Sequence, residues 1–267
     1  MVVASSADTR DWVALAPARG PALLAIFPYA GAGAGIFRTW SERLASSARV
    51  VVMRLPGRES RLSEPLVSDA ETVARAIAPA LAEHMTRPAV FYGHSVGALL
   101  AYLVAHELEA AGLPAPTALV VAARPAPQLL PLRPPIHVLG DDEFVRHVTR
   151  YGGTSLDTLE ERELLELYLP TLRSDFALAE TYRHSPRPPL AAPIVSVGGE
   201  ADPEVTPEAL RAWETHTNAG FRTLRVRGGH FPHGDGEDDI LRCLSLLVRD
   251  AVAANPDPTS VIDGLEG

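Results

Sequence analysis

The sequence predicts an α/β fold in which a mostly parallel central sheet is covered by helices on both faces. Six short, nearly continuous apolar segments recur along the 267 residues, and amphipathic segments separate most of them. Continuous apolar segments are typical of strands that are buried on both faces, whereas a helix that covers a sheet has one apolar side. Alternation of the two kinds of segment indicates a parallel sheet. A chain of this length is within the range of one large α/β domain.

The predicted strands and the helices that connect them follow in chain order. The strands comprise residues 22–27, 50–54, 89–93, 118–123, 193–199 and 221–229. The helices, with apolar residues at three- and four-residue spacing, comprise residues 70–85, 98–111, 207–217 and 238–253. Because parallel strands need a crossover connection, we expect these helices to link them.

The interval between residues 123 and 193 is too long for a single crossover helix. It begins and ends with proline-rich sequence, RPAPQLLPLRPP and RHSPRPP, which favours extended chain. Between them lie two or three amphipathic helical segments, at residues 142–151, 159–169 and 171–182. We therefore expect a helical lid over residues 128–189, inserted into a core formed by residues 1–127 and 190–254. Residues 255–267 are polar and contain prolines, and we expect them to be disordered.

The composition excludes several classes of protein. All 24 basic residues are arginine, so the chain has no lysine for a P-loop or for a Schiff base with pyridoxal phosphate. The net charge of −9 argues against nucleic-acid binding. The single cysteine, Cys243, can form no internal disulfide and is interpreted as a small apolar residue in a reducing compartment. No apolar run reaches the roughly 18 residues of a membrane span and no signal peptide is evident, so we expect a soluble, cytoplasmic protein without membrane contact.

A nucleophile is predicted where the third predicted strand meets the helix that follows it. The sequence GHSVG, residues 93–97, lies between the strand AVFYG and the helical ALLAYLVAHEL. A G-x-S-x-G motif in this context is a nucleophile elbow, in which the serine occupies a strained turn and the glycines permit close approach of strand and helix. Ser95 is therefore the candidate nucleophile. The alternative is that Ser95 only caps the helix.

A serine nucleophile needs a base and a group that orients the base, and both are expected at carboxyl ends of later strands. Asp202 follows the strand at 193–199 and lies before a proline, which keeps it outside a helix. His230 follows the strand at 221–229, where two glycines permit a sharp exit. In proteins with a nucleophile elbow, the serine, the acid and the histidine follow one another in this order along the chain. Glu200 and Glu204 compete with Asp202, and His233 competes with His230.

Two backbone amides are expected to form the oxyanion hole. One belongs to Val96, directly after the nucleophile, and the other to Ala30 in the glycine-rich turn FPYAGAGAG. That turn has neither the G-K-[ST] ending of a phosphate loop nor the G-x-G-x-x-G spacing of a dinucleotide-binding motif, so the sequence disfavours a nucleotide site. A metal site formed by His230, His233 and Asp235 is also disfavoured, because the intervening proline prevents the helical ligand spacing.

Several motifs together carry a family resemblance. They are FPYAGAGAG, LPGRESR, GHSVGALLAY, RPAP, LPTLRSDFALAETYR, PIVSVGGEADPEVT and GGHF. With these motifs the chain resembles the discrete type II thioesterases of polyketide and nonribosomal peptide synthetases from about Phe27 to Phe231. It departs from the usual pattern in the turn GAGAG and in Pro232 and His233 after GGHF, which affects fine substrate positioning.

The resemblance implies an α/β-hydrolase fold with a mobile helical lid. It also implies hydrolysis of acyl groups from the phosphopantetheine arm of an acyl or peptidyl carrier protein, with Ser95 as nucleophile, Asp202 as orienting acid and His230 as base. No cofactor or metal is expected. We expect four further residues to contact the substrate, namely Tyr29, His94, Phe176 and Phe231. The alternatives are a medium-chain thioesterase of fatty-acid synthase, a general carboxylesterase and an inactive docking protein.

Overall fold

A seven-stranded sheet forms the centre of the protein. The computed structural model describes residues 12–15, 20–150, 159–231 and 233–255. The strands are β1 (Val13–Leu15), β2 (Ala22–Phe27), β3 (Ala48–Met53), β4 (Ala89–His94), β5 (Ala118–Ala122), β6 (Ile194–Gly199) and β7 (Phe221–Val226). Their order is β1-β3-β2-β4-β5-β6-β7, and only the β1–β3 pair is antiparallel. The predicted mostly parallel sheet is confirmed.

The apolar sequence of the strands follows from burial on both faces. In β2 all six residues are buried, and successive side chains enter two different core clusters. Leu23 and Phe27 point to one face of the sheet, while Leu24 and Ile26 point to the other. Since side chains alternate along a strand, a two-sided core requires apolar residues at every position.

Helices cover both faces of this sheet. They are α1 (Arg38–Arg43), α2 (Ala70–Ala82), α3 (Val96–Ala110), α4 (Asp141–Thr149), α5 (Leu159–Thr181), α6 (Pro207–Arg211) and α7 (Glu237–Ala254). Val73 of α2 and Leu99 of α3 belong to the core cluster on one face. Trp40 of α1 and Leu244 of α7 belong to the cluster on the other face. The two-sided arrangement predicted from the sequence is therefore confirmed.

Four elements differ from the prediction. Strand β1 and helix α1 were not predicted, because three and six residues are too few to establish a periodicity. The predicted helix at 207–217 is α6 followed by a 3-10 helix, Ala212–His216. The two helical segments predicted around Pro170 form one helix, α5. A proline inside a helix removes one backbone hydrogen bond, and here the Thr171 hydroxyl donates to Gly57 O at 3.0 Å and ties the helix to the core at this point.

The predicted insertion contains α4 and α5 but is not uniformly separate from the core. Leu178 of α5 is fully buried in the cluster formed with α2 and α3. Residues 256–267 of the expected tail lie outside the described residues. Residue 151, the last of the helix predicted at 142–151, and Pro232 also lie outside them. Among the described helices, none combines the length and the apolar character needed to cross a bilayer.

Candidate active site

Ser95 occupies a strained turn between β4 and α3. Its φ is 55° and its ψ is −116°, in a region that residues other than glycine rarely adopt. The Ser95 amide donates to Ala122 O at 2.8 Å, which ties the turn to the end of β5. Ser95 also stands at the N-cap position of α3, but its side chain makes no capping hydrogen bond. The capping alternative therefore has no support from the geometry.

The glycines that flank the serine permit unusually close backbone contacts. A Cβ on Gly93 would lie 2.3 Å from Gly97 O, and a Cβ on Gly97 would lie 1.9 Å from Phe27 O. No side chain fits at either position. The motif spacing is therefore explained by the packing of α3 against β4 and β2.

The loops after β6 and β7 bring Asp202 and His230 together. The Ala201 amide donates to Gly228 O at 2.9 Å and joins the two loops. His230 Nδ1 lies 3.0 Å from Asp202 Oδ2, and both side chains are almost completely buried. The other carboxylate oxygen, Oδ1, accepts from the Glu204 amide at 2.9 Å. The carboxylate therefore fixes both its own loop and the orientation of the histidine ring.

The competing residues have other partners. Glu204 forms an ion pair with Arg133 at 2.7 Å, and Glu200 is exposed. His233 packs against Phe37 and Trp40, with ring centroids 5.5 and 5.7 Å away, and burial lowers its pKa. Glu204 therefore contacts the Asp202–His230 pair through its backbone amide, while its carboxylate is bound to Arg133.

The position of His94 corrects the expectation that it contacts the substrate. The residue is only 2% exposed and is not among the residues that line the cavity described below. Its Nε2 lies 2.7 Å from His230 O, and because a carbonyl can only accept, Nε2 carries the proton. Burial holds the pKa of His94 well below its usual range, so the ring is neutral and Nδ1 accepts from the Tyr92 hydroxyl at 3.1 Å. His94 therefore supports the His230 backbone.

A cavity of about 330 Å³ opens next to Ser95 and His230. Its wall includes Tyr29, Ala30 and Phe231 from loops of the core. The insertion contributes Leu172 and Phe176 of α5, His147 and Val148 of α4, and the segment from Leu129 to Ile136, and the core segment before it contributes Arg124 to Pro127. Three of the four residues expected to contact substrate thus line this cavity. Burial raises the pKa of Tyr29 to about 12, so its hydroxyl stays neutral.

The two predicted oxyanion donors belong to the first turn of α3 and to the turn after β2. Val96 is the first residue of α3, and Ala30 belongs to the turn after β2 and lines the cavity with Ser95. The next amide along that turn, Gly31 N, donates to Asp175 Oδ2 of α5 at 2.7 Å. Asp175 in turn forms a buried ion pair with Arg58 at 2.8 Å. Neither Arg58 nor Asp175 was expected to have a role, although both lie in motifs that carry the family resemblance.

The sheet order, with a serine turn directly after β4 and a histidine and acid at the ends of later strands, is the architecture of α/β-hydrolases. The thioesterase domain model matches residues 22–245, and the chain therefore belongs to the thioesterase family. It is a hydrolase of thioesters. The resemblance inferred from the motifs is confirmed.

Two solved thioesterase structures are similar to this chain and agree with this assignment. The RedJ thioesterase of the prodiginine pathway in Streptomyces coelicolor is 38% identical, with a TM-score of 0.80, over 92% of this chain and 91% of RedJ. The type II thioesterase BorB of the borrelidin cluster is 32% identical, with a TM-score of 0.79, over 92% of this chain and 98% of BorB. LgrE of Brevibacillus parabrevis, named a linear gramicidin dehydrogenase, is 36% identical over 87% of this chain and 89% of LgrE.

The histidines of the disfavoured metal site, His230 and His233, have different surroundings. Within the described part of the chain, no group of three or more histidine, cysteine and acidic side chains is arranged to hold a metal ion. His230 binds Asp202, whereas His233 packs into an aromatic cluster, so the two rings do not share a site.

Proposed function

We propose that this thioesterase removes acyl groups, by hydrolysis, from the phosphopantetheine arm of acyl or peptidyl carrier proteins and so edits stalled or aberrant acyl chains. The observation that carries the proposal is the buried Asp202–His230 hydrogen bond on the wall of the cavity that also exposes Ser95. The family membership of the chain supports the thioester as the bond that is cleaved.

The proposed reaction uses an acyl-enzyme intermediate. Ser95 Oγ attacks the thioester carbonyl while His230 removes the hydroxyl proton, and Asp202 holds the ring through Nδ1. The amides of Val96 and Ala30 stabilise the oxyanion. The C–S bond breaks, and His230 returns the proton to the departing thiolate. Water, activated by His230, then attacks the Ser95 ester and releases the free acid. These steps require neither a cofactor nor a metal ion.

The cavity wall suggests how the two ends of the substrate are accommodated. Phe176 and Leu172 of α5 and Phe231 offer apolar contacts to an acyl chain. We propose that residues 128–189 act as the lid that bounds this chamber, because α4, α5 and the proline-rich segment supply much of its wall. The long, thin pantetheine arm lets the carrier protein remain at the mouth. We include a cytoplasmic location in this proposal. The single free cysteine, which can form no internal disulfide, agrees with a reducing compartment.

A hydrolysis panel tests the proposal. The same acyl groups are presented on carrier proteins, on free pantetheine and as oxygen esters, and kcat/KM is measured for each. We expect the carrier-bound thioesters to be the best substrates. Equal or faster hydrolysis of oxygen esters would favour a general carboxylesterase, and selective release of medium-chain acids would favour a fatty-acid synthase thioesterase. A folded protein inactive on every substrate would favour a docking role.

A further inference from the structure

We propose that Asp175 is a positioning residue that holds the oxyanion loop, defined as Tyr29–Gly31, in its catalytic geometry. The inference rests on the proposed function, since it assumes that the Ala30 amide stabilises the oxyanion at Ser95. Asp175 is not among the residues lining the cavity and touches no reacting atom. It acts through the backbone of the loop.

The two carboxylate oxygens of Asp175 have separate partners. Oδ2 accepts from the Gly31 amide at 2.7 Å, and Oδ1 accepts from Arg58 Nη2 at 2.8 Å. Arg58 also donates, through Nη1, to Ala32 O at 3.3 Å. The ion pair therefore holds the loop at one N–H and at one carbonyl just beyond it.

Burial makes this contact strong and specific. The side chains of Arg58 and Asp175 are only 4% and 3% exposed. Hydrogen bonds to an ionised carboxylate are roughly twice as strong as neutral ones, and water does not compete at this site. Gly31 adopts a φ of +75°, and a Cβ there would lie 2.6 Å from Leu172 Cδ2 of the same helix. Helix α5 thus contacts the loop through both a charge and close packing.

The consequence for catalysis follows from the neighbouring peptide bonds. The Gly31 N–H belongs to the planar peptide unit that joins Ala30 to Gly31. The Ala30 N–H belongs to the preceding peptide unit, and the two units are joined at the Ala30 Cα. Fixing one unit therefore restricts the backbone rotations at Ala30 and the direction in which the Ala30 N–H points. Oxyanion donors are effective only when they are already oriented before the reaction. A misplacement of about 1 Å can cost about 100-fold in rate.

The same contacts divide the predicted lid into two parts. Thr171 donates to Gly57 O, Asp175 binds Arg58 and Gly31, and Leu178 is buried in the core. The part of α5 from Thr171 to Leu178 is therefore a fixed support of the site.

The test compares wild type with Asp175→Asn and with the double variant Arg58→Met, Asp175→Leu. The double variant removes both buried charges at once, a replacement that is often neutral for stability. Asp141→Asn is the matched control, because Asp141 also pairs with an arginine of α5, Arg173 at 2.6 Å, but is 75% exposed. For each protein kcat and KM are measured with an acyl N-acetylcysteamine thioester. The Ki of an alkyl boronic acid, which forms a tetrahedral adduct with the serine, and the melting temperature are also measured.

We expect kcat to fall about 100-fold in the double variant, with KM changed by less than about threefold, and to fall less in Asp175→Asn, whose remaining oxygen can still accept from the Gly31 amide. The boronate Ki should rise by the same factor as kcat falls, and the control should match wild type. A folded double variant whose kcat stays within about threefold of wild type, or whose KM alone changes, overturns the inference. If wild type itself neither hydrolyses thioesters nor binds boronate, the proposed function fails and the inference fails with it.

A measurement on the unmodified protein covers the case in which the variants do not fold. The Gly31 amide proton should exchange with solvent slowly, because it is bound to a buried carboxylate. Exchange as fast as that of an exposed loop amide would overturn the inference without any variant.

Discussion

Replacement of Asp202 by asparagine should abolish most activity while leaving the fold intact. Asparagine retains an oxygen that accepts from the Glu204 amide, now 2.9 Å from Oδ1, so the loop keeps its anchor. It replaces Oδ2, 3.0 Å from His230 Nδ1, with an NH₂ group that can only donate. His230 must then leave Nδ1 unprotonated and carry its proton on Nε2, where it can no longer accept the proton of Ser95. This change of tautomer costs about 10⁴ in kcat, or about 5 kcal/mol of transition-state stabilisation.

The assay is steady-state hydrolysis of an acyl thioester, with thermal unfolding as the check on folding. Glu204→Gln is the matched control on the same loop, because Glu204 is paired with Arg133 at 2.7 Å and not with the histidine. Its activity should stay within about threefold of wild type. The assignment of the acid would be refuted if Asp202→Asn kept a kcat within about tenfold of wild type. It would also be refuted if Glu204→Gln lost more activity than Asp202→Asn.

Three other predictions concern the cavity wall, the packing of α5 and pH. Phe176→Ala should shift the preference towards longer acyl chains, because Phe176 lines the cavity. Leu167→Ala is the control and should leave the preference unchanged, because Leu167 is 66% exposed. The same shift in both variants would contradict the prediction. Leu178→Ala should destabilise the protein by about 2–5 kcal/mol in urea unfolding, since Leu178 is fully buried, and a change below about 1 kcal/mol would show that α5 is loosely attached. Burial lowers the pKa of His106 and of His216 from 6.5 to about 4, so the unfolded chain binds more protons in this range. The free energy of unfolding should therefore decrease as pH falls from 6.5 to 4, and less so in His216→Gln; a constant value would contradict the burial of these rings.

Features that depend on local sequence were predictable. Ser95 is recognisable because the elbow is a contiguous strand, turn and helix, and the parallel strands appear as apolar runs because both of their faces are buried. Asp202 and His230 could be proposed because parallel strands present their carboxyl ends at one edge of the sheet. Asp202 was preferred over Glu200 and Glu204 because it lies before Pro203, and Asp202 is the acid that contacts His230.

Features that depend on distant contacts were not predictable. Arg58 and Asp175 are 117 positions apart, and the packing of α5 beside the loop after β3 brings them together. The contact of Thr171 with Gly57 O, in the same loop, spans 114 positions and is likewise invisible to local sequence patterns. The role of His94 was misjudged because its neighbour in sequence is the nucleophile, whereas its ring turns inward to Tyr92 and to the His230 carbonyl.

The central claim, that Ser95 carries the acyl group during thioester hydrolysis, is tested most directly by trapping the intermediate. Enzyme and acyl-loaded carrier protein are mixed, quenched in acid during turnover and digested, and the peptides are analysed by mass spectrometry. The acyl mass should appear on the peptide that contains Ser95. It should be absent in Ser95→Ala, which should melt at the wild-type temperature but lose on the order of a millionfold in kcat. An acyl group on a different residue, or a Ser95→Ala protein with activity within about tenfold of wild type, would contradict the account.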